Sequence, residues 1–340
     1  MPLFRKKLAI DLGTSTILVY APKKGVVIDE PTVVAVSLVD RKILAVGQEA
    51  KEMLGRTPET IMASCPIRDG SIADYRATQA TLNHFIKRVI NLKFFQPEVI
   101  ISVPAGSSST EKRAIIDATV KAGAKVAYMV KEPILAAIGA GISISESRGR
   151  MVVNIGGGVT EAAVISLGGI VAWGSIKVGG QKMDNSIIDY IRKKYDLVIG
   201  QQTAEEVKIK IGSALPLSSN DEGEVEIRGR DVRSGMPRSL IIRTNEITDA
   251  LASDLKEVGQ VIKNVLRQSP PELAADIMIQ GIILTGGSSL LKNISHLISE
   301  MTGVPCALAD EPRFCVVKGA GIALEHLDMY KRSLMTKKRT

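Results

Sequence analysis

Two segments of this chain carry the same design, and that duplication limits the folds open to it. Near the start runs Leu8-Ala9-Ile10-Asp11-Leu12-Gly13-Thr14-Ser15-Thr16, and near the middle Met151-Val152-Val153-Asn154-Ile155-Gly156-Gly157-Gly158-Val159-Thr160-Glu161. Each reads as an apolar strand, a polar residue, a glycine-containing turn with hydroxyls, and a second apolar strand over residues 17–20 or 162–167. Such turns let backbone N–H groups approach an anion closely, because glycine has no Cβ in the way. Two of them in one chain predict two half-molecules that clamp one nucleotide between them.

A chain of 340 residues is long for a single core, so two main domains are expected. Hydrophobic content of 45% with 24% charged residues is that of a soluble globular protein. The net charge of +8 favours anionic partners such as phospholipid or nucleotide phosphates. Nucleic acid fits less well, since only 4% of residues are aromatic and no basic helix or stacking motif is present. Cys65, Cys306 and Cys315 lack metal-ligand spacing and read as reduced thiols of a cytoplasmic protein. Asp11 breaks the first apolar run too early for a secretory h-region. Residues 151–176 are apolar enough for a membrane span. Their glycines, Asn154, Glu161 and β-branched content predict two buried strands and a turn instead.

Strand and helix patterns alternate along the rest of the chain, which predicts an α/β protein with mixed sheets. Residues 26–28 and 32–37 read as strands split by Asp29-Glu30-Pro31, and 46–75 as a small inserted region. Helices are expected over 78–91, 111–123, 134–142, 184–195, 203–211 and 245–267, and strands over 99–103 and 126–130. Residues 224–242 read as a polar hairpin. A third strand-to-glycine turn, Ile282-Ile283-Leu284-Thr285-Gly286-Gly287, is expected to open a helix whose N-terminus faces an adenosine or a phosphate. The tail after Met329 ends in Lys337-Lys338-Arg339 and is expected to be frayed or surface-bound.

Asp11, at the end of a buried strand, can hold hydrated Mg²⁺ while Thr14, Ser15 and Thr16 meet phosphate oxygens. Three consecutive glycines at 156–158 cost stability unless something must come close. With these turns stand Asp29-Glu30-Pro31-Thr32, Asp69-Gly70-Ser71-Ile72-Ala73-Asp74, Val103-Pro104, Glu132-Pro133, Gly179-Gly180, Thr203-Ala204-Glu205 and Val225-Glu226-Ile227-Arg228-Gly229-Arg230. Pro270-Pro271-Glu272-Leu273-Ala274 closes the series. In this order they resemble the actin-like ATPase superfamily and, within it, the MreB family of bacterial filament proteins, from about residue 8 to 327.

The resemblance implies an actin-like, ribonuclease H-like duplicated α/β fold, with two lobes of two subdomains each around a nucleotide cleft. Residues 1–30 and 76–145 would form subdomain IA, 31–75 IB, 146–182 and 245–330 IIA, and 183–244 IIB, followed by a basic tail at 331–340. It further implies ATP and Mg²⁺ in the cleft. Asp11 would organise the metal, and Gly13, Thr14, Ser15, Thr16, Asn154, Gly156, Gly157, Gly158 and Thr160 the phosphates. Glu205 and Lys208 would face the ribose and Gly286 and Gly287 the adenosine. Glu132 would position the attacking water.

The family pattern in the second turn is Asp-Ile-Gly-Gly-Gly-Thr-Thr-Glu, whereas this chain has Asn154 for Asp and Val159 for the first Thr. Asn lacks the charge that strengthens a bond to metal-bound water, and Val lacks a hydroxyl to hold a lytic water. Thr160 cannot stand in, because neighbouring strand residues point to opposite faces. Phosphoryl transfer depends on positioning and electrostatics, so weakened hydrolysis with retained ATP binding is expected.

Phe94 and Phe95, in the turn Asn91-Leu92-Lys93-Phe94-Phe95-Gln96-Pro97, match an exposed apolar loop that enters the bilayer in the MreB family. Arg5, Lys6, Lys7, Lys93 and the C-terminal lysines would add about 1 kcal/mol each near anionic lipid. The resemblance thus implies self-assembly into paired protofilaments at the cytoplasmic face of the membrane, with other family paralogues as further partners and a part in cell shape or motility. A non-hydrolysing scaffold or a copolymerising regulatory paralogue is the alternative. A sugar kinase lacks a candidate base here, and a heat-shock chaperone would need a substrate domain for which no chain remains.

Overall fold

The computed structural model describes residues 6–90 and 96–330, and the backbone alone of 334–339. The first half opens with β1 (Lys7–Leu12), β2 (Thr16–Ala21) and β3 (Gly25–Pro31). Next come β4 (Val34–Ser37), β5 (Ile43–Val46), α1 (Gln48–Glu52), β6 (Ile61–Ser64), β7 (Ile67–Arg68) and β8 (Ser71–Ile72). The half closes with α2 (Tyr75–Val89), β9 (Glu98–Val103), α3 (Ser109–Lys121), β10 (Val126–Lys131) and α4 (Glu132–Gly139). The second half repeats the plan with β11 (Arg150–Ile155), β12 (Thr160–Ser166), β13 (Gly169–Ile176), α5 (Gly180–Tyr195), β14 (Leu197–Val198) and α6 (Gln201–Ile211). It continues through β15 (Glu224–Asp231), β16 (Pro237–Arg243), α7 (Thr244–Gln268), α8 (Pro271–Gln280), β17 (Ile282–Thr285), α9 (Ile294–Thr302), β18 (Cys306–Leu308), α10 (Cys315–Glu325) and β19 (Leu334–Arg339).

The duplication is explicit in the sheets. In the first, β3, β2 and β1 form an antiparallel meander, and β9 and β10 add parallel to β1. In the second, β13, β12 and β11 repeat the meander, and β17 and β18 add parallel to β11. β9 is buried at all of its positions, as a central strand covered on both faces must be, and this explains its unbroken apolar run. Helices pack where their local signals place them. Asp74 caps α2 by accepting from the Ala77 N–H at 2.9 Å, and Ser108 with Glu111 forms a reciprocal capping box on α3.

Each sheet has its own core, built around Leu82, Phe85 and Ile101 in the first lobe and around Met183, Leu251 and Ile262 in the second. A third apolar cluster, with Leu135 and Ile138 of α4 and Val316 and Ala320 of α10, joins residues of both sheets, Ile100 of the first and Val152 of the second. There α4 and α10 cross at glycines: a Cβ on Gly139 would overlap the Cys315 carbonyl, and one on Gly319 the Leu135 carbonyl. Two smaller three-stranded sheets, β5-β4-β6 and β14-β15-β16, are formed by the segments inserted in each half.

Three expectations need correction. Asp29-Glu30-Pro31 does not split two strands but finishes β3, an edge strand where a missing proline N–H breaks no ladder bond. The Gly286-Gly287 turn opens a four-residue 3₁₀ turn, Gly287–Leu290, rather than an α-helix, and α9 begins only at Ile294. The basic tail is not frayed: β19 lies antiparallel on β10 and becomes the edge of the first sheet, with Val126 opposite Arg339 and Ala127 opposite Lys338.

Candidate functional site

The two glycine turns close with one geometry. Gly13 N–H donates to the Thr16 carbonyl at 3.1 Å, and Gly156 N–H to the Val159 carbonyl at 2.9 Å. Asp11 and Asn154 each stand two residues before the closing glycine, so they are counterparts in the two halves. Their supports match as well. Ser102, on the parallel neighbour β9, donates to Asp11 Oδ1 at 2.6 Å, and Thr285, on the parallel neighbour β17, lies 3.3 Å from Asn154 Oδ1. The turns meet face to face across a cleft of about 870 Å³. A Cβ on Gly158 would lie 2.5 Å from Thr14 Oγ1, and one on Gly157 would overlap Ser15 Oγ.

Both turns are held from behind. Gly70 N–H donates to Thr14 Oγ1 at 3.0 Å, and Thr32 donates its hydroxyl to the Gly13 carbonyl at 2.9 Å. The first N–H groups of α5, from Gly180 and Gln181, donate to the carbonyls of Gly156 and Gly157 at 3.0 and 2.8 Å, and Ser288 donates to the Gly156 carbonyl at 2.8 Å. Close contact of these backbones is what the glycines permit.

Beneath the turns lies an acidic cluster. Burial pushes Asp11 up to about 6, against the stabilising bond from Ser102. Glu132, the first residue of α4, is held well above the usual carboxylate range by burial and by the charges of Glu161 and Asp11. Glu161 is pushed up to about 7 by burial, opposed by N–H donors at Ala105 and Gly106. Asn154 Nδ2 donates to Glu132 Oε2 at 3.2 Å across the junction of the lobes. Concentrated acid of this kind, metal-free, is stabilised by any cation that enters.

Of the residues picked out by sequence, Asp11, Gly13, Thr14, Ser15, Thr16, Glu132, Asn154, Gly156, Gly157, Gly158, Glu205, Lys208, Gly286 and Gly287 all line this one cleft. Thr160 does not. It is fully buried, and its hydroxyl donates to the Val178 carbonyl at 2.7 Å, on the opposite face of β12. Glu205 and Lys208 are in the cleft wall but engaged: Glu205 pairs with Lys51 at 2.7 Å, and Lys208 with Asp184 at 2.6 Å and the Gly180 carbonyl at 2.8 Å. Phe94, Phe95, Lys93 and Arg5 lie outside the described residues. Sequence reasoning missed Ser102, Lys51 and Asp184, and it quoted Gly70 and Thr285 within motifs without their roles, which come from register and from chain distant in sequence. Glu161 stood inside the quoted turn, yet only its burial by the Ala105 loop marks it out.

Comparison with known proteins fits this geometry. The family model described as MreB/Mbl protein matches residues 5–332. The chain belongs to the MreB/Mbl family. It is 45% identical to the cell shape-determining protein MreB of Escherichia coli (strain K12) over 98% of this chain and 97% of that protein. It is 44% identical to the cell shape-determining protein Mbl of Bacillus subtilis (strain 168) over 98% of this chain and 100% of the other. Among solved structures, MreB5 of Spiroplasma citri bound to ADP superimposes with a TM-score of 0.92 at 35% identity, covering 97% of this chain and 99% of that one. The same protein bound to AMPPNP matches equally. The MamK double helical filament, at 21% identity and a TM-score of 0.79, shares the fold. The fold is therefore actin-like, as the resemblance implied.

The residues present suit Mg-ATP chemically. The cleft offers glycine backbone at both turns, the hydroxyls of Thr14, Ser15 and Ser288, and Lys292, beside Lys51, Lys208 and Arg313, each of which is paired with an acid. Mg²⁺ keeps most of its water and needs only one or two protein carboxylates beside the phosphates. Asp11 is the carboxylate near the end of the strand leading into the first glycine turn, and it lines the cleft. Among the described residues no group of three or more His, Cys, Asp or Glu forms an all-protein metal cage.

Proposed function

We propose that this MreB/Mbl-family chain binds Mg-ATP in its interlobe cleft and polymerises into filaments at the cytoplasmic face of the cell membrane, with weakened ATP hydrolysis. The observation that carries the reading is the pair of glycine turns, one from each lobe, packed so closely that a Cβ at Gly158 would strike Thr14. Relatives named as cell shape-determining proteins, and the ADP and AMPPNP complexes of S. citri MreB5, support it. Mg-ATP, when bound, would supply the charge-neutralised phosphates and the scissile bond.

In this reading Asp11, held in place by Ser102, would hold the metal beside the phosphates. Thr14 and Ser15 from one turn and Gly156, Gly157 and Gly158 from the other face the phosphates. Lys208, anchored by Asp184, would face the nucleotide, and Glu132 would accept a hydrogen bond from the attacking water. Two features slow that last step. Val159 supplies no hydroxyl, and Thr160 has committed its own to Val178. Hydrolysis falls while nucleotide affinity stays, because the groups lost serve the transition state rather than the bound phosphates. The same features favour a second reading, a nucleotide-stabilised scaffold or copolymerising paralogue that does not hydrolyse at all.

Membrane attachment in this proposal is peripheral, through Phe94, Phe95 and basic residues. No described helix is long and apolar enough to cross a bilayer. The test is sedimentation of purified protein with Mg-ATP, with Mg-ADP and without nucleotide, with and without anionic liposomes, combined with phosphate release. Filaments in the ATP pellet, and release well below that of a relative carrying the family's acid and hydroxyl at these two places in the second turn, are expected. Protein that stays soluble throughout and binds no nucleotide would overturn the proposal.

A further inference from the structure

The Asp-to-Asn departure in the second turn does more than remove a charge. Asn154 sits on β11 of the second lobe, and Glu132 opens α4 of the first, so their 3.2 Å bond spans the two lobes at the cleft floor. The amide presents its N–H₂ to Glu132 Oε2 and its oxygen to the Thr285 hydroxyl, so each end meets a group of the opposite kind. The other side is built to match: Thr285 Oγ1 lies 3.3 Å from Asn154 Oδ1, and the Gly286 turn closes over that oxygen, where a Cβ would come within 2.7 Å. Asn154 is only 6% exposed, so the amide has no room to swing away. An ionised aspartate here could not donate. It would set two carboxylate oxygens about 3.2 Å apart with Asp11 and Glu161 nearby, an arrangement that needs a shared proton or a cation.

We infer that Asn154 is a positioning residue that clasps the Glu132 carboxylate across the lobe junction and restrains it when the cleft holds no metal. Where the family sequence calls for a charge that a cation must balance, this chain carries a donor that balances the acid by itself. The clasp also occupies one of the oxygens with which Glu132 would hold a water, a third brake on hydrolysis beside the loss at Val159. That catalytic consequence rests on the proposed nucleotide reading; the clasp itself does not.

A donor–acceptor exchange tests it. Thermal unfolding of the metal- and nucleotide-free protein at pH 8 is compared for wild type, Asn154→Asp, Glu132→Gln and the double variant, each first checked for native circular dichroism. Asn154→Asp leaves two acceptors facing each other and lowers the midpoint by roughly 2–6 °C. Glu132→Gln keeps a neutral acceptor for Asn154 and removes a buried acid, so its midpoint stays at or above that of wild type. In the double variant the amide introduced on α4 donates to the carboxylate introduced on β11, so the midpoint returns to within about 2 °C of wild type. A merely space-filling role for Asn154 gives no such rescue, and a double variant as unstable as Asn154→Asp would overturn the clasp. Equilibrium binding of a fluorescent ATP analogue to wild type is measured alongside. Failure to bind would sink the nucleotide reading and leave the unfolding cycle to decide the clasp.

Discussion

Glu161 shows how much one residue depends on chain remote from it. It is 1% exposed; its Oε1 accepts from the Ala105 N–H at 2.8 Å, and its Oε2 has no hydrogen-bond partner among the described residues. Burial raises it from 4.5 to about 7. Between those values the folded chain keeps a proton that the unfolded chain has released, so stability falls as pH rises. The contribution is complete below about 4.5 and is lost as pH climbs through about 7. Its charge also lifts Glu132, so the two acids act as a unit. Glu161→Gln keeps an acceptor for Ala105 and removes the titration. In the metal-free protein it is expected to flatten the decline in thermal midpoint between about pH 5 and 8, worth on the order of 1–3 kcal/mol at the alkaline end. Melting curves across that range check it, and an unchanged slope would show that the cluster's acids are not coupled to folding as described.

At the scale of elements, the sequence made legible what local chemistry encodes. The strand–turn–strand hairpins around Gly13 and Gly156, the helix expected over 111–123 (α3) and the long amphipathic α7 all form close to where the residues predict. What was illegible depends on neighbours. The polar tail segment Leu334–Arg339 has no strand-like alternation, and it pairs because β10 would otherwise present a bare edge. The third glycine turn resembles the other two in sequence, but Gly286 adopts φ 88° and donates to the Pro312 carbonyl, which bends the chain into a 3₁₀ turn. The site was readable to the extent that it is made of turns, and unreadable where β9, β17 or the first lobe's loops supply a partner. Gly158→Ala tests the turn itself. Its new Cβ would lie 2.5–2.9 Å from Thr14 Oγ1, Cβ and Cγ2, so no rotation of Thr14 clears it and the two turns must part. Affinity for a fluorescent ATP analogue is expected to fall at least about tenfold, a loss of 1.4 kcal/mol or more. Gly200→Ala, whose Cβ meets nothing within 4 Å, is the control and should bind as wild type. Equal affinities for all three proteins would mean that the turns do not hold the nucleotide.

Across the whole molecule, the lobes are joined by apolar packing at the back and by polar contacts at the front. Behind the cleft, α4 and α10 cross in van der Waals contact at Gly139 and Gly319. At the mouth, Lys51 of α1 pairs with Glu205 of α6 at 2.7 Å, and Gln202 donates to the Lys51 carbonyl at 2.6 Å. These two contacts connect the outer subdomains, and they occupy the carboxylate that the family resemblance assigns to the ribose. Both side chains are about a third exposed, 33% and 34%, so solvent screening limits the pair to less than about 1 kcal/mol. That is too little to alter the fold, yet enough to shift a balance between closed and open clefts several-fold, since each 1.4 kcal/mol is tenfold. Lys51→Glu is therefore expected to leave the melting midpoint within about 2 °C of wild type while opening the cleft. The opening would register as a larger radius of gyration in X-ray scattering and as faster release of a fluorescent nucleotide. Lys51→Glu/Glu205→Lys should restore both. If the single variant scatters and releases nucleotide as wild type does, the mouth contacts are incidental and the crossing of α4 and α10 alone sets the angle between the lobes.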